Sequence, residues 1–151
     1  MAPTLPLRIG IIGAGEVTQV IHLPTLLLLS HLFRVTALAD VSPSSLSHVA
    51  AKFGIPHAFR SAAELCACSD VDVVLIASAD EFHAQQACMA ARHGKHVFCE
   101  KPLALTREDF ARVEQARREH GVHVSVGYMR RFAPAFLEFK RLLASSGAIE
   151  Y

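Results

Sequence analysis

Three short stretches carry residue types that packing alone does not require. Gly13-Ala14-Gly15-Glu16-Val17-Thr18 breaks an apolar run with two glycines one residue apart, Asp40 closes a second such run, and Glu100-Lys101-Pro102 follows Lys95-His96-Val97-Phe98-Cys99 without a gap. Charged groups are costly to bury and proline donates nothing to a strand ladder, so Glu100-Lys101-Pro102 marks where a buried strand emerges. In a Gly-x-Gly turn the first glycine permits the tight bend and the second lets the backbone approach a pyrophosphate. The helix that follows offers its N–H groups and dipole to the anion. On spacing alone the same glycines fit a turn that needs only positive φ. Asp40 adds context, because a carboxylate at the end of the second strand can accept both adenosine ribose hydroxyls. Its other reading is an N-cap for the helix at Pro43. That carboxylate would repel a 2′-phosphate, and no Arg or Lys follows before Lys52, so NAD is favoured over NADP. The third fingerprint position is Thr18 in place of glycine, which should either loosen helix-to-strand packing or bring a hydroxyl to the phosphates.

Elements that could position these groups alternate along the chain. Strands are predicted at Leu7–Ile12, Phe33–Ala39, His57–Phe59, Val71–Ala77, Lys95–Cys99 and Val122–Tyr128. Helices are predicted between them: Val17 to about Ser30, a Ser42-capped helix ending at Gly54, a turn or two from Ser61, and one capped by Asp80 that ends at His93-Gly94. Another opens on the capping-box pattern Thr106-Arg-Glu-Asp109 and runs to Gly121, with Glu108/Arg112 and Glu114/Arg118 as surface pairs. A last helix should carry Phe132, Phe136, Phe139 and Leu143 along one face. Strands joined by crossover helices imply an α/β fold, a doubly wound parallel sheet of Rossmann type covered on both faces. Its ligand crevice lies beyond the carboxyl ends of the strands, where Gly13–Thr18, Ala77–Glu81 and Glu100–Pro102 converge.

Composition narrows the function classes. The chain has 151 residues, 52% hydrophobic and 19% charged, with formal net charge +1, so no global field favours nucleic acid or an anionic membrane. Cys66, Cys68, Cys88 and Cys99 form no CxxC or zinc spacing and read as reduced apolar fillers, with no metal site. A reducing compartment follows, and the cytoplasm is the expected location because MAPTLPLRIG shows no secretory pattern.

The stretches GIIGAGEVTQVIHLPTL, VTALADVSPSSL, DVDVVLIASADEFHAQQA, GKHVFCEKPLALT and VGYMRRFAPAF together resemble the glucose-fructose oxidoreductase, inositol dehydrogenase and MocA group, written Gfo/Idh/MocA. The resemblance implies NAD(P)-dependent hydride transfer to or from a sugar, polyol or related hydroxy compound. It implies cofactor contacts from Gly13, Gly15, Glu16, Val17, Asp40, Ser78, Glu100 and Lys101. Lys101 would be catalytic, hydrogen-bonding the reacting substrate and aiding its proton transfer, a role suited to a lysine drawn out of water; Pro102 would fix the backbone through a cis bond. Tyr128, Arg130 and Arg131 match a segment near the substrate entrance, although an arginine pair at a helix start also fits solvated surface. Ser78-Ala79-Asp80 departs from the family's Thr-Pro-Asn-like turn. His83 matches a family histidine whose role is ligand binding, capping or packing, and His22 reads as structural.

Family members continue into a second α/β domain that covers the nicotinamide. The expected organisation is therefore a dinucleotide-binding domain over 1–146 and the truncated start of the second domain over 147–151. Two functions stay open: a dehydrogenase domain, either a fragment of an enzyme or one completed by a partner chain, or a non-enzymatic NAD-binding module, a truncated product or a redox sensor. Association into a homo-oligomer is compatible with either.

Overall fold

Leu7–Ile12 is β1, an apolar strand whose last four residues are buried, and it runs down the centre of a six-stranded sheet. The computed structural model describes residues 6–147, and the expected second-domain start at 147–151 therefore lies, beyond Gly147, outside the described residues. In chain order the other strands are β2 (Phe33–Ala39), β3 (His57–Phe59), β4 (Val73–Ile76), β5 (His96–Cys99) and β6 (Val124–Val126). They lie side by side as β3-β2-β1-β4-β5-β6, and every pairing is parallel. The order reverses between β1 and β4, which is the switch point where doubly wound sheets hold ligands.

The helices are α1 (Leu23–Leu28), α2 (Pro43–Phe53), α3 (Ala62–Ala67), α4 (His83–Arg92), α5 (Arg107–Glu119) and α6 (Pro134–Ser145). One sheet face buries Ile9, Ile11, Leu38 and Leu75 against Leu23, Leu46 and Val49 of α1 and α2. The other buries Ile12, Val74, Ile76 and Val97 against Leu65, Ala87, Ala91 and Val113 of α3, α4 and α5. Strands buried on both faces explain why the central ones read as continuous apolar runs.

Four local expectations are corrected. The helix expected from Val17 is interrupted near its start by a π-helical turn, Thr18–His22, before α1. Pro24 offers no N–H to Val20, and the turn widens so that the Leu23 N–H donates to the Thr18 carbonyl. Asp80 caps nothing: it opens a 3-10 turn, Asp80–Phe82, that precedes α4. Thr106 does cap α5, accepting from the Asp109 N–H, but the shorter Asp109 carboxylate returns to the Thr106 hydroxyl and not to its backbone. Arg112 pairs with Asp109 instead of Glu108, while Glu114 holds both Arg117 and Arg118.

At the amino end of the sheet the Arg8 guanidinium reaches Asp72 at 2.6 and 2.9 Å, and Asp72 also accepts the Arg8 backbone N–H at 2.9 Å. The hydrogen bond from Arg8 holds the Asp72 carboxyl below its ordinary range, against partial burial. A carboxyl lowered on folding stabilises the fold above its unfolded range and stops doing so as pH falls through the folded value. Asp72→Asn should therefore lower Tm by roughly 2–4 °C at neutral pH and by much less near about pH 2, as read by thermal melts at both.

α6 meets chiefly the 3-10 turn Met129–Phe132 before it, and none of its residues is buried. Phe136 and Phe139 of the expected apolar stripe are exposed, and Phe132 precedes the helix at 77% exposure. An apolar groove of about 860 Å³, lined in part by Leu26, Val73, Leu75 and Phe98, is open on the α1 side of the sheet. Among the described residues no helix is long and apolar enough to cross a membrane.

Candidate functional site

The glycine turn leaves β1 under tight constraint. The Gly13 N–H donates to the Ala39 carbonyl at 2.8 Å, and Gly13 has φ +101°, a conformation L side chains rarely adopt. A Cβ there would lie 2.5 Å from the Ala77 carbonyl oxygen and 2.9 Å from the Ser78 nitrogen. The turn is thus pressed against the loop that leaves β4. Gly15 is the opposite case, since a Cβ on it would meet nothing within 4 Å. Glu16 and Val17 are exposed beside it, at the start of the π-helical turn. Backbone N–H groups at a helix start have no intrahelical acceptor and face outward to an anion.

Asp40 braces this turn. One carboxylate oxygen accepts the Ala14 N–H at 2.7 Å and the other accepts the Ser42 N–H at 2.7 Å. It is not the cap of α2, because Ser42 takes that role through Ser45. Each carboxylate oxygen has a second lone pair left for a ribose hydroxyl. Thr18 overturns both expectations made for it. It is fully buried and its hydroxyl donates to the Gly13 carbonyl at 2.6 Å, so it neither loosens the turn nor reaches toward phosphate.

Beyond β4 and β5 the side chains hold one another. The Glu100 N–H donates to the Ile76 carbonyl at 2.9 Å, continuing the ladder by one residue, and the Lys101–Pro102 bond is cis. Glu100 accepts from His22 Nε2 at 3.0 Å and from the Lys101 N–H at 3.3 Å. His22 in turn stands edge-on to Phe98. The Ser78 hydroxyl donates to Gln86 at 2.6 Å. Lys101 is exposed, and nothing among the described residues covers the strand ends. Arg130 and Arg131 are exposed on the 3-10 turn, with the Arg131 guanidinium 5.7 Å over the Tyr128 ring.

Burial pushes the Cys99 thiol up to about 12, with the Glu100 and Asp80 charges adding to it, and pushes Cys66 up to about 11. Both are inert fillers at neutral pH. Among the described residues no three His, Cys, Asp or Glu side chains are grouped to hold a metal.

His22 and His83 are the residues whose importance the sequence understates. His22 holds a Glu100 oxygen although it lies 78 positions away in the chain. His83 is 1% exposed and joins two loops. The available signal is their place in the first turns of the helices that follow β1 and β4.

A 3-2-1-4-5-6 parallel sheet with a glycine turn at β1 and a carboxylate at the end of β2 defines a dinucleotide-binding Rossmann domain. Residues 7–128 match the family model described as oxidoreductase family, NAD-binding Rossmann fold, and the chain belongs to this Gfo/Idh/MocA family. It is 40% identical over 150 residues to an inositol 2-dehydrogenase of Acidothermus cellulolyticus, a match covering 99% of this chain and 43% of that protein. It superposes with TM-score 0.85 and 30% identity on scyllo-inositol dehydrogenase from Lactobacillus casei with bound NAD(H) and scyllo-inositol, over 92% of this chain and 41% of that one. The WlbA dehydrogenase from Bordetella pertussis in complex with NADH and UDP-GlcNAcA matches with TM-score 0.87 and 26% identity, over 92% and 42% of the two chains. The chain therefore spans less than half the length of these relatives.

Proposed function

We propose that this chain is the NAD(H)-holding part of a dehydrogenase acting on a secondary hydroxyl of a polyol or sugar, of the kind named for its inositol dehydrogenase relatives. The observation that carries the reading is the crescent around the switch point: the open face of Gly15, the Asp40 carboxylate and the Lys101 segment follow the carboxyl ends of β1, β2 and β5, on one edge of the sheet. The residues fit a dinucleotide. Gly15 leaves room for a pyrophosphate where any side chain would project, and Asp40 retains lone pairs for the adenosine ribose. Gly13, Gly15, Glu16 and Val17 would hold the phosphates through backbone N–H groups. Ser78 would border the nicotinamide half through its backbone, since its hydroxyl is committed to Gln86. Glu100, oriented by His22, would accept from the second ribose.

A dinucleotide held there would supply or accept the hydride at the carbon bearing the hydroxyl. Lys101, on its exposed segment, would hydrogen-bond that hydroxyl oxygen, taking up its proton through Nζ as the carbonyl forms and returning it to oxygen in the reverse direction. Water exclusion over Lys101 has to come from outside the described residues, so we assign 1–146 to cofactor binding and the remainder to the start of a substrate-binding part. That part would come from the rest of the chain, a partner domain or a second subunit, in the cytoplasm. A purely NAD-sensing module is the competing reading, and the retained Lys101 speaks against it, because binding alone does not call for an amine at that strand end.

Calorimetric titration tests this reading. NADH should bind saturably and NADPH should bind about tenfold more weakly; Asp40→Ala should lower NADH affinity by a further factor of about ten or more, the value of a charged hydrogen bond. Failure of both nucleotides to bind a chain with native circular dichroism would sink the proposal.

A further inference from the structure

The β4–β5 ladder ends at Ile76 and Cys99, with one more bond from the Glu100 N–H, and beyond that point the two chains diverge around the start of α4. His83, the first residue of α4, fills that divergence. Nδ1 lies 2.7 Å from the Pro102 carbonyl oxygen and Nε2 lies 2.9 Å from the Ser78 carbonyl oxygen. The ring is 1% exposed, and the α4 positions buried with it are small: Ala84, Ala87, Cys88, Ala90 and Ala91. A histidine among such small residues, with a carbonyl on each side, is not there to fill volume.

We propose that His83 is a positioning residue that ties the loop after β4 to the loop after β5 and thereby sets the nicotinamide end of the cofactor crevice. The proposal rests on the NAD(H) reading above. Both partners can only accept, so the ring joins the two loops when both nitrogens carry protons, Nδ1 donating to Pro102 and Nε2 to Ser78, whereas a neutral tautomer donates to one loop alone. A planar ring also places its two polar atoms rigidly on opposite sides, which neither asparagine nor glutamine does. The two tied residues are adjacent to the chemistry: Pro102 follows Lys101, and the Ser78 amide abuts Gly13. The clasp therefore fixes how far Lys101 stands from the crest of the glycine turn. The adenosine end is braced separately, by Asp40 on Ala14 and Ser42.

This separation gives the test. NADH and ADP-ribose differ by the nicotinamide, so their affinities report on the two ends of the crevice. In His83→Ala, NADH affinity should fall about tenfold, while ADP-ribose affinity should stay within about twofold of the unsubstituted chain. His83→Asn and His83→Gln, each able to restore one of the two bonds, should fall between. A parallel loss of both ligands would mean that His83 is merely structural, and unchanged NADH affinity would mean that it positions nothing; either result overturns the inference. Should His83→Ala lose its fold, the Asn and Gln variants are judged by the same ratio. If the folded, unsubstituted chain binds NADH no better than it binds ADP-ribose, the nicotinamide end is unformed and the inference fails while the cofactor reading stands. If it binds neither, the cofactor reading falls first.

Discussion

Gly13→Ala should cost this domain more stability than any other one-carbon change at the crevice. The added methyl would stand 2.5 Å from the Ala77 carbonyl oxygen and 2.7 Å from its carbon, atoms of the main chain that cannot rotate away. It would also force an L side chain to hold φ +101°. Left-handed backbone costs a non-glycine residue roughly 1–2 kcal/mol, and overpacking adds roughly 1–3 kcal/mol. Together they come to about 2–5 kcal/mol, a large part of the roughly 5–15 kcal/mol that holds a domain together. Thermal melts should show Tm lower by about 10 °C, with NADH binding lost alongside it because the turn and the Ser78 loop are displaced together. An unchanged Tm would mean that β1 and β4 separate at their ends more easily than the contact implies.

The sequence shows the strands of this fold better than it shows the joins between them. β1, β2 and β3 lie where the apolar runs predict, bounded by Gly13, Asp40 and Arg60. The last three strands are shorter than predicted: β6, for example, keeps Val124–Val126 of an expected Val122–Tyr128. It pairs on one side with β5 alone, so residues with strand propensity at its ends have no ladder to join. α6 was legible as a helix from its period. Its period does not reveal that no residue of that helix is buried among the described residues.

Site residues divide along the same line. The glycines, Asp40 and Glu100-Lys101-Pro102 are recognisable because their chemistry is out of place in an apolar run. Thr18 misled because its role depends on which carbonyl the hydroxyl finds, and a carbonyl five residues earlier is visible only in the folded turn. His83 was ambiguous for a related reason: its partners, Ser78 and Pro102, lie on opposite sides of it in sequence and meet only when β4 and β5 pair. Lys101 stands just past a strand end, where a charge after an apolar run puts it, and is exposed there.

Gly15→Val should give the reverse of the Gly13 result. A side chain at Gly15 meets no protein atom within 4 Å, and Gly15 is not among the residues at positive φ. The fold therefore has no steric objection, and replacing glycine narrows the unfolded ensemble, so Tm should move by no more than about 2 °C in either direction. Binding should respond quite differently. If the space over Gly15 is where the backbone meets a pyrophosphate, an isopropyl group there pushes the anion away from the helix N-terminus and its N–H groups. NADH affinity should then fall about a hundredfold or more, the loss of two or so charged hydrogen bonds. Calorimetry on the folded variant decides it. Retained affinity would place the nucleotide elsewhere on the sheet and remove the reason for a glycine at this position. Loss of affinity at unchanged Tm would show that two glycines one residue apart serve different ends, Gly13 the contact between strands and Gly15 the space for a ligand.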